Sequence, residues 1–334
     1  MRPLIWFKRM GQSGFRLLST LRVCLKIKQW GIDVVHTNTS LQLEGAFAAN
    51  LCGIPHIWHI RELLDPKGSF RFHLPLTWVR ALFFGLSSQV IANSIATAQF
   101  IQSEVGVKSP LVLPNAIDVE SYSDESARKR ARYIRSAWPC PKGAVVVGMC
   151  AAVAVHLKRH DLFIDAATNI SRRCPNAWFI LCGHLPEDGS IGYTYYESLR
   201  EKIEKEGLVD RFFFSGHLED MGGVMNALDI LVNPSPGESF GRVVIEAMAA
   251  GIPVVGANSG AIKEIIVDGE TGFLVDPQDR NEMGLIIEKL VEEPSLRVRL
   301  GANGQKRART NYSLQTLSLS TQDLYLSVID GRPN

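Results

Sequence analysis

The stretch Asn233-Pro-Ser-Pro-Gly-Glu238-Ser-Phe-Gly241-Arg-Val-Val-Ile-Glu246-Ala-Met-Ala-Ala-Gly251-Ile-Pro-Val-Val255 decides the reading of this 334-residue chain. Pro234, Pro236 and Gly237 mark a loop. A helix follows and carries Glu246, and Gly251-Ile-Pro-Val-Val turns into a buried strand. Two glutamates, Glu238 and Glu246, stand with seven residues between them. A helix N-terminus collects unpaired N–H groups and a partial positive charge, so it favours an anion. The loop brings one carboxylate and its own backbone N–H groups to the same place. The second carboxylate lies further along the helix, where it can accept hydrogen bonds from a diol. A ligand with an anionic centre flanked by hydroxyl groups suits this arrangement.

Alone, Glu-x7-Glu is a weak signal, because a surface loop and a core helix can carry two carboxylates at that spacing. The flanks add weight: Pro234-Ser-Pro before it, Ala247-Met-Ala-Ala-Gly-Ile-Pro-Val-Val after it, and Ser259-Gly-Ala-Ile-Lys-Glu264 beyond. With them the stretch resembles the donor-site motif of retaining glycosyltransferases of family 4, which have the two-domain GT-B fold. The resemblance runs roughly from residue 30 to residue 330 and is most specific in the C-terminal half. It implies an α/β chain of two Rossmann-like domains with parallel sheets. It implies that Glu238 contacts the transferred sugar and stabilises positive charge at its anomeric carbon, and that Glu246 binds the ribose hydroxyls. Ser239, Phe240 and Gly241 would offer backbone N–H groups, with Gly241 where a side chain would block close approach. Gly260 and Glu264 resemble a later Gly-Gly-x-x-Glu element in which Ala261 replaces the second glycine. His217, after Gly216, lies in a loop that often lines the base; an ordinary loop histidine is the other reading.

Lys158 stands in Val155-His-Leu-Lys158-Arg159-His160-Asp161, just before a helix pattern. The register resembles the family's Arg…Lys pair, whose cations hold the donor diphosphate and steady the leaving group in place of a metal ion. The arginine expected some residues earlier is missing. Ala151, Ala152 and Ala154 occupy that region, and Arg159 lies on the wrong side of the lysine. A solvated helix-start lysine is the alternative for Lys158. In the first half, His59 ends a strand in Ile57-Trp-His-Ile-Arg61-Glu62. Family members often carry a histidine here that points toward the reacting sugar. With a pKa near neutrality it can position or deprotonate an acceptor hydroxyl; a structural histidine at a strand end is the other reading. Asn93-Ser94 and Asn115-Ala116-Ile-Asp118 match family landmarks at strand ends.

Hydrophobic residues make up 46% and charged residues 21% of the chain, which describes a globular protein. No apolar run is long enough to span a membrane, and no signal peptide is visible at the N-terminus. The six cysteines (Cys24, Cys52, Cys140, Cys150, Cys174, Cys182) are scattered, which fits reduced thiols and a cytoplasmic location. Net charge is +2, unevenly divided. Residues 1–143 hold 18 Lys/Arg against 9 Asp/Glu, and the remainder 18 against 25. The first 32 residues contain seven basic side chains and no acid, interleaved with Trp6, Phe7, Phe15 and Trp30. Contact with anionic lipid at the inner face of a membrane and a plain solvated helix face both fit that pattern. No nucleic-acid motif accompanies it.

Buried strands alternate with amphipathic helices along the whole chain, which argues for parallel sheets covered on both faces. Strands are expected at 32–37, 54–60, 89–93 and 111–114, and helices at 15–30, 41–51, 74–86 and 94–105, the last capped by Ser94. Further strands are expected at 144–150, 178–182, 212–215, 230–233, 253–257 and 272–275, with Asp268-Gly-Glu-Thr-Gly272 as a turn. This divides the chain into a partial acceptor-side domain (1–118), a connection (119–143), a nucleotide-sugar-binding domain (144–312) and a C-terminal helix (313–334) that packs back on the first domain. The first domain looks short, because the resemblance begins around the family's fourth strand, Asp33-Val-Val-His-Thr-Asn38. An internal start at Met1 and a true truncation are both open.

No nucleophile elbow, zinc-protease motif, P-loop or dinucleotide fingerprint competes, and no sequence cluster has metal-ligand spacing. The expectation is therefore a retaining, metal-independent glycosyltransferase. It would use a UDP- or GDP-linked sugar, no cofactor, and a glycan or lipid-linked acceptor of the cell envelope. A non-catalytic nucleotide-binding remnant and a sugar-nucleotide epimerase on the same fold are the alternatives.

Overall fold

The computed structural model describes residues 3–63, 76–102, 109–153, 156–190 and 192–331. These fall into two compact units, one of residues 1–114 with 317–334 and one of residues 115–316. Each contains one wholly parallel sheet among the described residues.

The first unit runs α1 (Pro3–Trp30), β1 (Val35–Thr37), α2 (Glu44–Cys52), β2 (His56–Ile60), α3 (Leu76–Gly85), β3 (Gln89–Ala92), α4 (Ile95–Ile101) and β4 (Leu111–Val112). Its strand order is β1-β2-β3-β4. Central β2 is buried along its whole length, as a parallel strand covered on both faces must be. Trp58, Ile60, Val90 and Ala92 face one core, where the Trp58 and Phe83 rings meet edge to face at 4.6 Å. Ile57, Ile91 and Leu113 face the other, closed by Leu324. Ser94 caps α4 by accepting from the Thr97 N–H, so the short polar side chain stops the strand and starts the helix. Parts of two expected helices, 74–75 and 103–105, lie outside the described residues.

The second unit begins with α5 (Glu120–Ser123) and α6 (Glu125–Ala137). Then come β5 (Val145–Cys150), α7 (His160–Ile170), β6 (Ala177–Cys182), α8 (Tyr193–Lys205), β7 (Phe212–Gly216), α9 (Met221–Ala227) and β8 (Ile230–Asn233). It continues with α10 (Arg242–Ala249), β9 (Val254–Ala257), α11 (Ile262–Ile265), β10 (Gly272–Val275), α12 (Arg280–Glu292) and α13 (Pro294–Asn311). The sheet order is β10-β9-β8-β5-β6-β7. Strand β5 alternates strictly: Val145, Val147 and Met149 enter one core, Val146 and Cys150 the other. The order doubles back beside β5, between β6 and β8. The carboxyl ends of such strands form the crevice where doubly wound sheets bind ligands. The chain closes with α14 (Leu314–Ile329), whose residues from 317 onward are counted with the first unit.

Residues 119–143, expected as a connection, are built into the second unit. Tyr122, Ala131 and Trp138 enter its core, the Arg130 Nε lies 2.6 Å from Asp220, and Arg135 donates to the Ala227 and Ala144 carbonyls. The many charges of α6 hide this from sequence, because its core contacts are small Ala127 and Ala131 with half-buried Ile134 beside them. Among the described residues no helix is long and apolar enough to cross a membrane, and the six cysteines are free thiols.

Candidate donor site at the carboxyl ends of β5 and β8

Two segments 80 residues apart meet here. After β5, residues His156–Lys158 form a single 3-10 turn. Arg159 then adopts the left-handed conformation (φ 57°), unusual for a side chain larger than glycine, and α7 starts at His160. This turn presents Lys158. After β8, the loop of residues 234–240 is pinned from three sides. Ser235 donates through its hydroxyl to the Leu157 carbonyl (3.2 Å), Ser259 donates to the Pro236 carbonyl (2.6 Å), and the Ala261 N–H donates to the Glu238 carbonyl (3.0 Å). Gly260 (φ +55°) is required there, since a Cβ would lie 2.7 Å from the Glu238 carbonyl oxygen. The result places the Lys158 ammonium 2.5 Å from a Glu238 carboxylate oxygen.

The pair opens on a pocket of about 280 Å³ lined by Met149, Cys150, Ala151, Ala152, Lys158, Val232, Asn233, Glu238, Gly241, Arg242 and Val243. Gly241 caps α10 at φ +95°, and a Cβ there would strike Ile262 at 2.4 Å. So Gly241 serves both turn and packing, whereas the sequence suggested only ligand approach. One turn along α10, Glu246 is buried, 3% exposed. Its carboxylate accepts from the Arg242 Nε at 2.7 Å and hydrogen-bonds the Tyr122 phenol. Burial pushes the Glu246 pKa up, and Arg242 and Tyr122 pull it back.

Lys158, Glu238, Gly241 and, behind them, Glu246 are thus brought together. Ser239 sits beside Glu238 in the pinned loop. Phe240 is buried, its ring 5.9 Å from that of Tyr312, so its side chain belongs to the core and only its backbone can serve a ligand. Gly260 supports the loop from beneath, and Glu264 lies half-buried in α11. Neither they nor exposed His217, just after β7, are among the pocket's lining residues. Ala151 and Ala152 line the pocket where an arginine was expected. Arg159 does not substitute: its guanidinium binds Asp161 (3.1 Å) and the Pro277 carbonyl (3.3 Å). Sequence reading passed over Arg242. Its signal was a cation at the first position of a helix, where the dipole disfavours positive charge.

His59 belongs to the first unit. It is 2% exposed, stacks on His36 at 5.6 Å, and its Nε2 has no hydrogen-bond partner among the described residues. The sequence suggested a pKa near neutrality. Burial, with the charges of Arg61 and His36 beside it, instead pushes it down to about 3. The ring is therefore neutral throughout the physiological range. Although no metal-ligand spacing was visible in sequence, folding brings ligand atoms of Cys174, Glu288 and Glu292 within 4.8 Å of one another. Arg173 grips Glu288 there through Nε (2.6 Å) and Nη2 (2.7 Å), so a cation already holds that carboxylate.

Residues 134–307 match the family described as Glycosyl transferases group 1, and residues 2–121 match Glycosyltransferase Family 4. The chain belongs to the group 1 glycosyl transferases. It is similar to the capsular polysaccharide biosynthesis glycosyltransferase CapM of Staphylococcus aureus, 36% identical over 92% of this chain and 80% of that one. It is also similar to a D-inositol 3-phosphate glycosyltransferase of Corynebacterium kroppenstedtii, 30% identical over 67% of this chain; the chain spans about half (49%) of that relative's length. Among solved structures, Anabaena HepE in complex with UDP matches with a TM-score of 0.80 at 26% identity, over 92% of this chain and 82% of HepE. The fold of this group 1 member is the GT-B type, with two Rossmann-like units of parallel sheet.

Proposed function

We propose that this chain transfers a sugar from a nucleotide-sugar donor to an acceptor hydroxyl, with retention at the anomeric carbon and without a metal ion, in the synthesis of a cell-envelope or capsular glycan. The observation that carries the reading is the Lys158–Glu238 pair facing the pocket at the N-terminus of α10, with Glu246 one turn behind. The diphosphate sits against Lys158 and the helix end, whose positive charges do the work a metal would otherwise do. Glu246 accepts the ribose hydroxyls. Glu238 steadies positive charge on the sugar as the bond from the anomeric carbon to the phosphate oxygen breaks. The acceptor oxygen forms its bond to that carbon from the same face, and its proton passes to the departing phosphate. His59, a neutral imidazole, hydrogen-bonds a hydroxyl group rather than holding a charge. The UDP bound by HepE makes a uracil base the first choice for the donor.

The basic, apolar face of α1 supports contact with an anionic membrane at the cytoplasmic side. Leu21, Leu25 and Trp30 are exposed beside Arg22, Lys26 and Lys28. One observation favours a second reading, a chain that binds nucleotide without turnover: alanines stand where the family resemblance calls for an arginine.

Thermal melting with UDP, GDP, ADP and NAD, followed by product analysis with the matching donor sugars, tests both. A ligand at a hundred times its Kd stabilises the folded chain by roughly 2.7 kcal/mol. A shift with one nucleoside diphosphate and a product of retained configuration is expected. A shift without product would establish the binding-only reading. No shift with any of them would remove both.

A further inference from the structure

We infer that Arg242 is the second cation for the donor's diphosphate, and that Glu246 holds it at the pocket until that ligand arrives. The inference rests on the transferase reading above and assigns a role to a residue that the family resemblance leaves without one.

Among the described residues, Lys158 and Arg242 are the two cationic side chains lining the pocket. Each is matched to one carboxylate, Lys158 to Glu238 at 2.5 Å and Arg242 to Glu246 at 2.7 Å. These are the two carboxylates assigned to the sugar and the ribose. The pocket's charges are therefore internally balanced. A diphosphate entering it brings further negative charge, which competes with the carboxylates for both cations.

Arg242 is built for that exchange. Its side chain is 71% exposed, whereas that of Glu246 is 4% exposed, so the guanidinium can move and the carboxylate cannot. Its planar fork can bind a phosphate oxygen through one edge while the other stays near Glu246. It stands at the first residue of α10, the end of the helix that itself attracts anions. A cation there opposes the helix dipole by itself and is favoured once an anion is bound. As the guanidinium turns to the phosphate, Glu246 is released to accept the ribose hydroxyls. Diphosphate and ribose recognition are thus coupled through one side chain. Arg159, the other candidate, is committed to Asp161 and the Pro277 carbonyl.

The test is calorimetric titration of wild type, Arg242→Ala, Arg242→Lys and Glu246→Gln. The probes are UDP, GDP and ADP, their nucleosides, and inorganic pyrophosphate. Arg242→Ala should weaken the preferred nucleoside diphosphate by about tenfold to a hundredfold. It should leave the matching nucleoside unchanged or tighter, and Arg242→Lys should recover part of the loss. Glu246→Gln should tighten pyrophosphate, because the guanidinium no longer has a competing anion. Equal loss of diphosphate and nucleoside in Arg242→Ala would overturn the inference, as would unchanged diphosphate affinity. If Arg242→Ala does not fold, the Glu246→Gln arm decides, and pyrophosphate affinity that stays the same or falls overturns it. A wild-type chain that binds none of the nucleotides removes the transferase reading itself. Pyrophosphate binding then judges Arg242 separately, and no binding to either protein overturns it.

Discussion

The carboxyl ends of the two sheets are finished in opposite ways. In the second unit the groups at the pocket and behind it are ionic and matched: Lys158 with Glu238, Arg242 with Glu246, and Tyr122 against Glu246. In the first unit Arg61 donates to Asn38 and Glu62 accepts from Thr39 and the Ser40 N–H, but the buried groups around them are neutral and partly unmatched. The side-chain atoms His36 Nε2, Ser40 Oγ, His59 Nε2 and Asn93 Oδ1 are buried without a hydrogen-bond partner among the described residues. The first arrangement responds to charge, because a ligand must compete with existing ion pairs. The second responds to hydroxyl groups and to protons. A buried unpaired polar atom lowers stability by about 1–3 kcal/mol, so these four atoms mark a local deficit at the end of the first sheet.

The largest expected effect separates the two ends by activity. Lys158→Ala should lower kcat/KM with the matched donor by about a hundredfold to a thousandfold, the loss typical of removing one charge-stabilising group. Its melting temperature should stay within a degree or two, because the pair is partly exposed and such pairs contribute little. A variant that melts early and keeps its activity would make the pair structural and erase the contrast.

Next comes the buried acid. Glu246→Ala leaves Tyr122 and Arg242 without their shared acceptor and should destabilise the second unit by about 1–3 kcal/mol in urea unfolding. The same change should weaken nucleoside binding, because the acceptor for the ribose hydroxyls is lost. Unchanged stability would mean that water replaces the carboxylate there without cost.

Acid then probes the first unit. His59 titrates near 6.5 when unfolded and at about 3 when folded. Between those values the unfolded chain binds more protons, so stability rises with pH and is lost as pH falls below 6.5. His56 and His36 are shifted down by burial as well and act in the same direction. His59 alone removes about 2 kcal/mol at pH 5 relative to pH 7. His59→Gln should lose less stability than wild type across that window, measured by urea unfolding at both pH values. Equal losses would show that other groups govern acid sensitivity.

The smallest effect concerns the basic helix. Lys26→Gln should weaken sedimentation with phosphatidylglycerol vesicles by about 1 kcal/mol, and added salt should shrink the difference. Wild type that fails to sediment at low salt would return α1 to a solvated face.

Much of the molecule was legible in the residues. Val145–Cys150 and Ile230–Asn233 read as buried parallel strands because both faces are covered, which demands unbroken apolar runs. Ser94 announced its cap because a short hydroxyl after a strand has few other uses. Glu238 and Glu246 stood out because local spacing along one loop and one helix set their separation. Residues 119–143 read as a connection because the stripe of α6 is small, Ala127, Ala131 and half-buried Ile134 at helical spacing among many charges.

Only folding decided the rest, and the physical reason is the same each time. An ion pair between residues 80 apart, Lys158 and Glu238, depends on where two loops end, and sequence distance does not record that. The His59 pKa depends on how much water the surrounding elements remove, so the same residue type reads as a neutral-pH base in sequence and as a permanently neutral ring in the fold. Arg242 was visible as a misplaced cation and Lys158 as a candidate, but their meeting in one pocket was not. The sequence by itself determined the elements, the parallel sheets and the spacing of the two glutamates, Glu238 and Glu246. Tertiary structure decided which charges meet, because electrostatic energy depends on distance and burial rather than on order along the chain.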